Sequence, residues 1–445
     1  MRLTILGGGG FRVPLVYGAL LADRAEGPVT HVTLHDVDPA RPAAIGAVLA
    51  EQAAGIDGAP EVTVATGLDE ALRGADFVFS AIRVGGLEGR AADERVALAE
   101  GVLGQETVGA GGVAYGLRTV PVAMGIARRI AALAPDAWTI NFTNPAGLVT
   151  EAMSRVLGDR VIGICDSPVG LGRRVARALG VADPADAWID YVGLNHLGWL
   201  RGLRIAGRDA LPRLLADPDA LGSFEEGRLF GAEWLTSLGA IPNEYLHYYY
   251  FTRETVTAYR SAGQTRGAFL RDQQAAFYAE PSLKSWEATR AEREATYMAD
   301  SRATAGAGER APADLGPGSG GYEQVALALM RAIARDERAT LILNVRNGTT
   351  LSLLDADAVI EVPCLVDANG AHPYAAAPLP GHAAGLVTSV KTVEREVIAA
   401  ADSGSRAAAV RAFALHPLVD SVTVARRLLD GYTHAHPGLA YLDRK

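Results

Sequence analysis

The chain has 445 residues, of which 49% are hydrophobic and 21% are charged. These values exclude a largely disordered protein, and the length predicts about two or three domains. Acidic residues outnumber basic ones by 51 to 42, which gives a net charge of −9. Because no basic run is long enough to follow a phosphate backbone, we expect no nucleic acid partner.

The sequence carries no signal for a membrane or for an oxidising compartment. No stretch approaches the roughly 18 consecutive apolar residues of a membrane span, and MRLTILGGGG lacks the regions of a secretion signal. The chain has only two cysteines, Cys165 and Cys364, which excludes a disulfide-rich scaffold. We therefore expect a cytoplasmic protein with no membrane partner.

The first 165 residues alternate between predicted strands and helices. Residues 2–6 form a short apolar run that ends in four glycines, and a helical pattern follows them. Further predicted strands are HVTLHDVD, EVTVAT, ADFVFSAIRV, AWTINF and RVIGIC, with helices at about 120–134 and 146–157. Six strands separated by helices predict an α/β fold with a Rossmann-type, doubly wound parallel sheet over residues 1–165.

The remaining residues, 166–445, are predicted to form a second domain, or most of one. The run WIDYVGLNHLGWLRGLRIAG has strand character, and a largely helical, aromatic-rich region follows at about 208–300. Segment 303–321 is rich in Gly, Ala and Pro, which is typical of a mobile loop. Two strands, ATLILNV and AVIEVPC, and helical stretches at about 383–414 and 418–430 complete the pattern.

The glycine cluster between the first strand and the first helix predicts a dinucleotide site. Glycines there let the backbone approach a pyrophosphate, whose charge the amides of the helix N-terminus stabilise. Asp36, at the end of the second strand, is positioned to accept hydrogen bonds from a ribose diol, which favours NAD over NADP. The alternative is a glycine turn of a flavodoxin-like fold without a dinucleotide. The predicted NAD-binding residues are Gly7, Gly8, Gly9, Gly10, Phe11, Arg12 and Asp36.

Cys165 and His196 are candidates for a metal site. Cys165 ends the sixth strand, and the carboxyl ends of strands in an open α/β sheet face the ligand crevice. His196 lies in a polar interruption of an apolar run. A thiolate and an imidazole could together hold a divalent metal. The alternatives are an inert buried thiol and a core histidine bonded to backbone groups.

The motifs of this chain resemble those of the NAD- and metal-dependent enzymes of glycoside hydrolase family four. The resemblance rests on GGGGFRVP, IRVGGLEGR, LGQETVGAGG, NFTNPAG, GICDSPVG, GLNHLGW, IPNEYLHYYY and AVIEVPC, in this order over essentially the whole chain. It implies an NAD-binding domain, residues 1–165, joined to an α/β (α+β) domain, residues 166–445, for catalysis, substrate binding and oligomerisation. This arrangement is similar to that of the lactate and malate dehydrogenases. The resemblance also implies a homodimer or a homotetramer.

The same resemblance implies roles for particular residues. Cys165 and His196 would bind the metal, normally Mn²⁺, with Asp166 as the general acid and Tyr245 as the base. Arg90, Asn144 and Arg266 fall on positions that contact the sugar, and Glu106 lies in a matching motif without an assigned role. The implied reaction oxidises C3 of the sugar transiently with NAD⁺, removes the C2 proton, eliminates the C1 substituent, adds water and returns the hydride.

We predict a 6-phospho-β-glucosidase from these motifs, and several alternatives stay open. RVGGLEGR and NHLGW resemble β-specific members, whereas the Cys-Asp-x-Pro run resembles α-specific ones. A 6-phospho-α-glucosidase and a non-phosphorylated glycosidase are therefore alternatives within the family. Outside it, the alternatives are an NAD-dependent hydroxy-acid dehydrogenase and a non-catalytic NAD-binding protein.

Overall fold

The computed structural model describes residues 1–23, 27–183, 186–310 and 321–443. The strands in these ranges are β1 Arg2–Leu6, β2 His31–His35, β3 Glu61–Val64, β4 Phe77–Ser80, β5 Trp138–Asn141, β6 Val161–Gly163, β7 Ala187–Leu194, β8 Leu197–Ile205, β9 Arg208–Asp209, β10 Ile241–Pro242, β11 Ala339–Arg346, β12 Val359–Asp367 and β13 Gly370–Pro373.

The helices of the first part are α1 Val13–Ala22, α2 Ala40–Ala53, α3 Leu68–Leu72, α4 Gly86–Ala99, α5 Gly109–Leu133, α6 Ala146–Leu157 and α7 Ser167–Ala178. Those of the second part are α8 Leu211–Leu215, α9 Pro218–Gly222, α10 Glu225–Phe230, α11 Ala232–Leu238, α12 His247–Tyr250, α13 Thr252–Ser261, α14 Arg266–Ala279, α15 Leu283–Ala295, α16 Ala299–Ala305, α17 Tyr322–Arg335, α18 Gly381–Ser403, α19 Arg406–Ala414 and α20 Val422–Ala435. Short 3-10 turns lie at Gly158–Arg160, Glu244–Leu246 and Pro437–Asp443.

The first six strands form a parallel sheet in the order β3-β2-β1-β4-β5-β6. This is the order of a dinucleotide-binding Rossmann fold, in which the strand order reverses at β1. The central strands are apolar because helices cover both faces of the sheet. Every residue of β4, for example, is buried. The predicted doubly wound parallel sheet is confirmed.

The same sheet continues past β6 with antiparallel strands. β11 pairs with β6, β12 with β11, β7 with β12, β8 with β7 and β10 with β8, so that β3 and β10 are the outermost strands. The largest apolar core likewise contains residues of both parts, from Leu3 to Val387. β6 ends at Gly163, two residues before the predicted domain boundary, and strands on either side of that boundary share one sheet.

Several predicted elements have different bounds in the structure. The helix predicted at 120–134 begins earlier, at Gly109, and the strand ADFVFSAIRV is shorter because β4 ends at Ser80. The stretch 383–414 is two helices, because Gly404 adopts a φ of 69° between α18 and α19. The last helix covers 422–435 rather than 418–430.

The segment predicted as a mobile loop, 303–321, is described only at its ends. Residues up to Ala305 form the last turn of α16, which corrects the prediction there, and α17 begins at Tyr322. Residues 311–320 lie outside the described residues. Within the described ranges, no helix combines the length and the apolar character that crossing a bilayer requires.

Candidate active site

The candidate site lies at the carboxyl edge of the parallel sheet. β1 leads into the glycine turn, β2 into Asp36, β5 into Asn144 and β6 into Cys165. Because parallel strands end at the same edge of a sheet, the fold brings these residues to one side of the molecule. The turn after β1 lies where the strand order reverses, which is where open α/β sheets bind ligands.

The glycine turn packs tightly against the ends of β4 and β2. Gly7 adopts a φ of 78°, and a Cβ there would lie 2.5 Å from the carbonyl oxygen of Ala81. A Cβ on Gly8 would lie 2.8 Å from the backbone nitrogen of His35. The backbone N–H of Gly9 donates to Oδ2 of Asp36 across 3.2 Å. The predicted turn and the predicted ribose-binding carboxylate are therefore neighbours, an arrangement that fits a dinucleotide.

Three aromatic side chains from the second part of the chain hold the backbone of this turn. The Tyr278 hydroxyl donates to the carbonyl of Gly9 at 2.6 Å, and Trp286 Nε1 donates to that of Phe11 at 2.8 Å. The Tyr322 hydroxyl donates to the carbonyl of Arg12 at 2.8 Å. Sequence reasoning missed these contacts because each joins residues more than 260 positions apart.

Cys165 and His196 meet in the structure, with Sγ 3.6 Å from Nε2. Both side chains are buried. With the tetrahedral geometry typical of zinc, and bonds of about 2.3 Å to sulfur and 2.0 Å to nitrogen, two such donors lie about 3.5 Å apart. The pair therefore fits a shared metal ion. In the described residues no group of three or more His, Cys, Asp and Glu side chains is arranged to hold a metal.

His196 is oriented by a hydrogen-bonded chain on its other nitrogen. Nδ1 lies 2.7 Å from Thr107 Oγ1, which lies 3.1 Å from Gln105 Oε1. With the proton on Nδ1, each group donates to the next, and the Nε2 lone pair faces Cys165. Burial lowers the pKa of His196 to about 3, so the ring is neutral. Sequence reasoning missed Thr107, although it lies inside the LGQETVGAGG motif.

The Cys165 thiol is protonated in the protein alone. Burial raises its pKa well above the usual value, and the charges of Glu361 and Asp166 raise the pKa further. A thiol must lose its proton to bind a metal, so metal binding at this pair releases a proton. The negative charges nearby, which oppose a thiolate, favour a cation.

Tyr245 stacks on the His196 ring, with ring centroids 3.6 Å apart and planes within 5°. Its hydroxyl lies 3.1 Å from that of Tyr297, which lies 3.2 Å from Glu244 Oε1. Burial raises the pKa of Tyr245 well above its usual value, and the neighbouring Glu244 raises it further. A phenolate here therefore needs a positive charge beside it. Sequence reasoning missed both Tyr297 and Glu244.

Asp166 occupies the N-cap position of α7, directly after Cys165. Its side chain is half-buried, and no hydrogen bond from another described residue to its carboxylate is observed. Its charge reaches the Arg12 guanidinium: burial opposes protonation of Arg12, but Asp166 and Tyr322 together raise the Arg12 pKa. The glycine turn and the Cys165 region therefore share one electrostatic environment.

The three predicted sugar-binding residues differ in their surroundings. Arg90 is buried and donates to Glu94 and Glu106, at 3.0 and 2.5 Å. Arg266 donates to Thr296 Oγ1 and to the carbonyl of Arg293. Asn144 is half-buried beyond β5, and its amide donates to the carbonyl of Phe142 at 3.4 Å.

Glu106 is held between Arg83 and Arg90. Burial disfavours its charged form, but the two guanidinium groups outweigh that effect and hold the pKa of Glu106 well below its usual range. Arg90 is therefore a paired, positioned group rather than a solvated one. Cys364, the second cysteine of the chain, is fully buried on β12.

Family models match most of the chain. Residues 2–181 match the model described as family 4 glycosyl hydrolase, and residues 191–419 match the model of the family 4 glycosyl hydrolase C-terminal domain. The chain belongs to family 4 of the glycosyl hydrolases. The resemblance that the motifs indicated is thus confirmed.

Curated relatives of this family 4 protein match along nearly their whole length. A probable 6-phospho-β-glucosidase of Bacillus subtilis is 32% identical, over 99% of this chain and 97% of that protein. A 6-phospho-α-glucosidase of Lacticaseibacillus paracasei is 30% identical, over 96% of this chain and 95% of that protein. The relatives therefore include both anomeric specificities.

Solved structures support the fold. A Thermotoga maritima 6-phospho-β-glucosidase with manganese, NAD⁺ and glucose-6-phosphate matches with a TM-score of 0.81 and 25% identity, over 98% of each chain. A malate dehydrogenase of Cryptosporidium parvum matches with a TM-score of 0.50 and 14% identity, over 90% of this chain and 99% of that one. The predicted dehydrogenase-like fold is confirmed.

Proposed function

We propose that this family 4 protein is an NAD- and Mn²⁺-dependent 6-phospho-β-glucosidase. The observation that carries the proposal is the contact between Cys165 Sγ and His196 Nε2, at 3.6 Å, directly beneath the Tyr245 ring. Asp166 follows Cys165 in the chain, and its charge extends to Arg12 at the end of the glycine turn. The proposed metal ligands, acid and base therefore lie near the proposed dinucleotide turn.

The residues divide the proposed work between them. Gly7–Gly10, Phe11, Arg12 and Asp36 would bind NAD, and Cys165 with His196 would hold the divalent cation. When bound, NAD⁺ supplies a transient hydride acceptor for C3 of the sugar, and the cation supplies a Lewis acid for the sugar oxygens. Tyr245 would take the C2 proton, and Asp166 would donate a proton to the oxygen leaving C1.

An arginine cluster, Arg266 and Arg293, supports a phosphorylated substrate; the Arg266 guanidinium donates a hydrogen bond to the Arg293 carbonyl. Burial and the charges of Arg12 and Arg266 hold the pKa of Arg293 well below its usual range. Burial, together with Arg90, lowers the pKa of Arg266 to about 10. Neighbouring arginines disfavour one another's protonated forms, and a bound anion would remove that repulsion. The phosphate of a sugar phosphate is such an anion.

The proposal includes specificity for the β anomer of a phosphorylated glucoside. The alternatives are specificity for the α anomer and a non-phosphorylated sugar substrate. We also propose that the enzyme works in the cytoplasm as a homodimer or a homotetramer. The decisive assay incubates the protein with NAD⁺, Mn²⁺, a thiol reductant and the 4-nitrophenyl α- and β-glucosides, each with and without a 6-phosphate.

We expect nitrophenol release from the 6-phospho-β-glucoside without net formation of NADH. Release from the α anomer alone would contradict the anomeric assignment, and equal release from unphosphorylated glucosides would contradict the phosphate requirement. Accumulation of NADH from a hydroxy acid, without glycoside cleavage, would indicate a dehydrogenase instead.

Two variants separate the proposed roles. Cys165→Ser is expected to abolish metal-stimulated turnover while leaving NAD⁺ affinity largely intact, because the metal and dinucleotide groups come from different loops.

Tyr245→Phe is expected to stop exchange of the substrate C2 hydrogen with deuterium from D₂O. Persistent exchange in Tyr245→Phe would exclude Tyr245 as the base.

A further inference from the structure

Glu361 on β12 is a buried carboxylate that the proposed reaction does not use. Its side chain is fully inaccessible to solvent, and three side-chain donors surround it. We propose that Glu361 is a positioning residue that fixes the His196 turn against the strand ending at Cys165, and so sets the geometry of the metal pair. This inference rests on the metal site of the proposed function.

Glu361 lies in a row of four residues that joins the strands before the two metal-binding loops. Gly163 of β6 pairs with Asn344 of β11, Asn344 pairs with Glu361, and Glu361 pairs with Gly193 of β7. At one end of this row β6 pairs with β11 through a single residue pair, and at the other end β12 pairs with β7 through a single residue pair. Cys165 comes two residues after Gly163, and His196 three residues after Gly193.

The backbone row alone leaves the two loops poorly fixed. Three spacings of about 4.8 Å separate β6 from β7, so the loops must reach toward each other across β11 and β12 to bring Sγ and Nε2 together. His196 also adopts a φ of 62°, in the left-handed region that a histidine rarely occupies. Such a conformation persists only where neighbouring contacts hold it.

The side chain of Glu361 provides those contacts. Its Oε1 accepts hydrogen bonds from Asn344 Nδ2 at 2.9 Å and from Asn195 Nδ2 at 3.1 Å. Its Oε2 accepts one from the Tyr191 hydroxyl at 3.1 Å. Asn195 is the residue before His196, and Tyr191 lies on the strand that leads to it. One carboxylate therefore ties the His196 turn and its strand to β11, the neighbour of β6.

A carboxylate suits this place better than an apolar group. Its two oxygens accept all three hydrogen bonds at once, which no apolar side chain of this size could do. Its charge also reaches the Cys165 side chain, where it opposes a thiolate in the protein alone. A divalent cation bound to Cys165 and His196 would meet that charge favourably.

The test measures Mn²⁺ affinity of the full chain by isothermal titration calorimetry after removal of metal with a chelator. Glu361→Ala is expected to raise the dissociation constant for Mn²⁺ at least about 10-fold, as loss of outer-shell support does in other metal sites. Glu361→Gln is expected to restore most of the affinity, because its amide oxygen still accepts from both asparagines. Cys364→Ser, buried on the same strand, is the matched control and is expected to bind like the wild type.

A folded Glu361→Ala protein with wild-type Mn²⁺ affinity would overturn the inference and leave the proposed function intact. If Glu361→Ala does not fold, Asn195→Ala takes its place, since Asn195 is half-buried and donates the hydrogen bond that links the His196 turn to Glu361. The same rise in the dissociation constant is expected, and an unchanged value would overturn the inference. A wild-type protein that binds no Mn²⁺ would overturn both the inference and the proposed function.

Discussion

At the scale of single residues, the candidate site combines neutral metal donors with strongly charged neighbours. Cys165 and His196 are both uncharged in the protein alone, because burial disfavours a thiolate and an imidazolium. The arginine cluster supplies positive charge, while Asp166 and Glu361 supply negative charge. Binding of a cation and of an anionic sugar would each remove part of this imbalance.

Arg293 offers a direct test of the arginine cluster. We expect Arg293→Met to lower kcat/KM for the 6-phosphorylated glucoside about 10- to 100-fold, because a charge-assisted contact with phosphate contributes about 1.5–3 kcal/mol. Arg271→Met is the matched control, since Arg271 is half-buried on α14 and pairs with Asp272 and Glu88. Equal losses for phosphorylated and unphosphorylated substrates would contradict the assignment.

Glu361 gives a pH dependence of stability. Burial raises its pKa in the folded protein to about 7 from the usual value of 4.5. Between these values the folded state holds one more proton than the unfolded state, so the free energy of unfolding falls as pH rises through this window, by about 3 kcal/mol. In Glu361→Gln the fall is expected to be smaller by that amount, while Glu244, whose pKa burial also raises to about 7, still titrates in this window. Urea unfolding of metal-free protein at pH 4.5 to 8 measures it, and parallel curves for both proteins would contradict the expectation.

At the scale of elements, the turn after β1 depends on glycine for packing as well as for a ligand. The Gly7 conformation and the nearby Ala81 carbonyl leave no space for a side chain. The turn was predictable, because a strand, a glycine run and a helix are adjacent in sequence and their spacing is a local signal. The aromatic donors that hold its carbonyl groups gave no such signal.

We expect Gly7→Ala to lower the free energy of unfolding by about 2–4 kcal/mol, from the left-handed conformation and the overlap with Ala81. It should also weaken NAD⁺ binding. Gly125→Ala, in the interior of α5 with no atom within 4 Å of its added carbon, is the control and should be neutral or stabilise by up to about 1 kcal/mol. Thermal unfolding and calorimetric titration with NAD⁺ measure both effects; a Gly7→Ala protein as stable as Gly125→Ala would refute this reasoning.

The pairing of Cys165 with His196 was predictable only through the family motifs. The two residues lie 31 positions apart in the sequence and follow different strands of the sheet. Neither has a local sequence signature that marks it as a metal ligand. Glu361 had a usable signal, an acidic residue inside the apolar run AVIEVPC, whereas Arg293 lies in a charged helix where any basic residue is ordinary. Contacts formed by folding across such distances require the tertiary structure.

At the scale of the whole molecule, two sequence regions form one sheet and one core. The antiparallel strands extend the Rossmann sheet through Gly163 and Asn344, and aromatic residues of α14, α15 and α17 bind the turn that follows β1. The largest apolar core contains side chains from both regions. Neither region completes its buried surface alone.

We therefore expect the protein to unfold in one cooperative transition. Far-ultraviolet circular dichroism reports on all elements, whereas tryptophan fluorescence reports mainly on the second region, which holds four of the five tryptophans. The two melting curves should coincide, and the calorimetric and van't Hoff enthalpies should agree. Two separated transitions would mean that the regions fold independently.

The outermost strands of the sheet restrict how copies of this chain can associate. β3 offers four residues and β10 only two, one of which is Pro242, a residue with no amide hydrogen to donate. Neither rim can template a long run of backbone pairing with a foreign strand. We therefore expect copies of this chain to associate through helical surfaces rather than by pairing strands along β3 or β10.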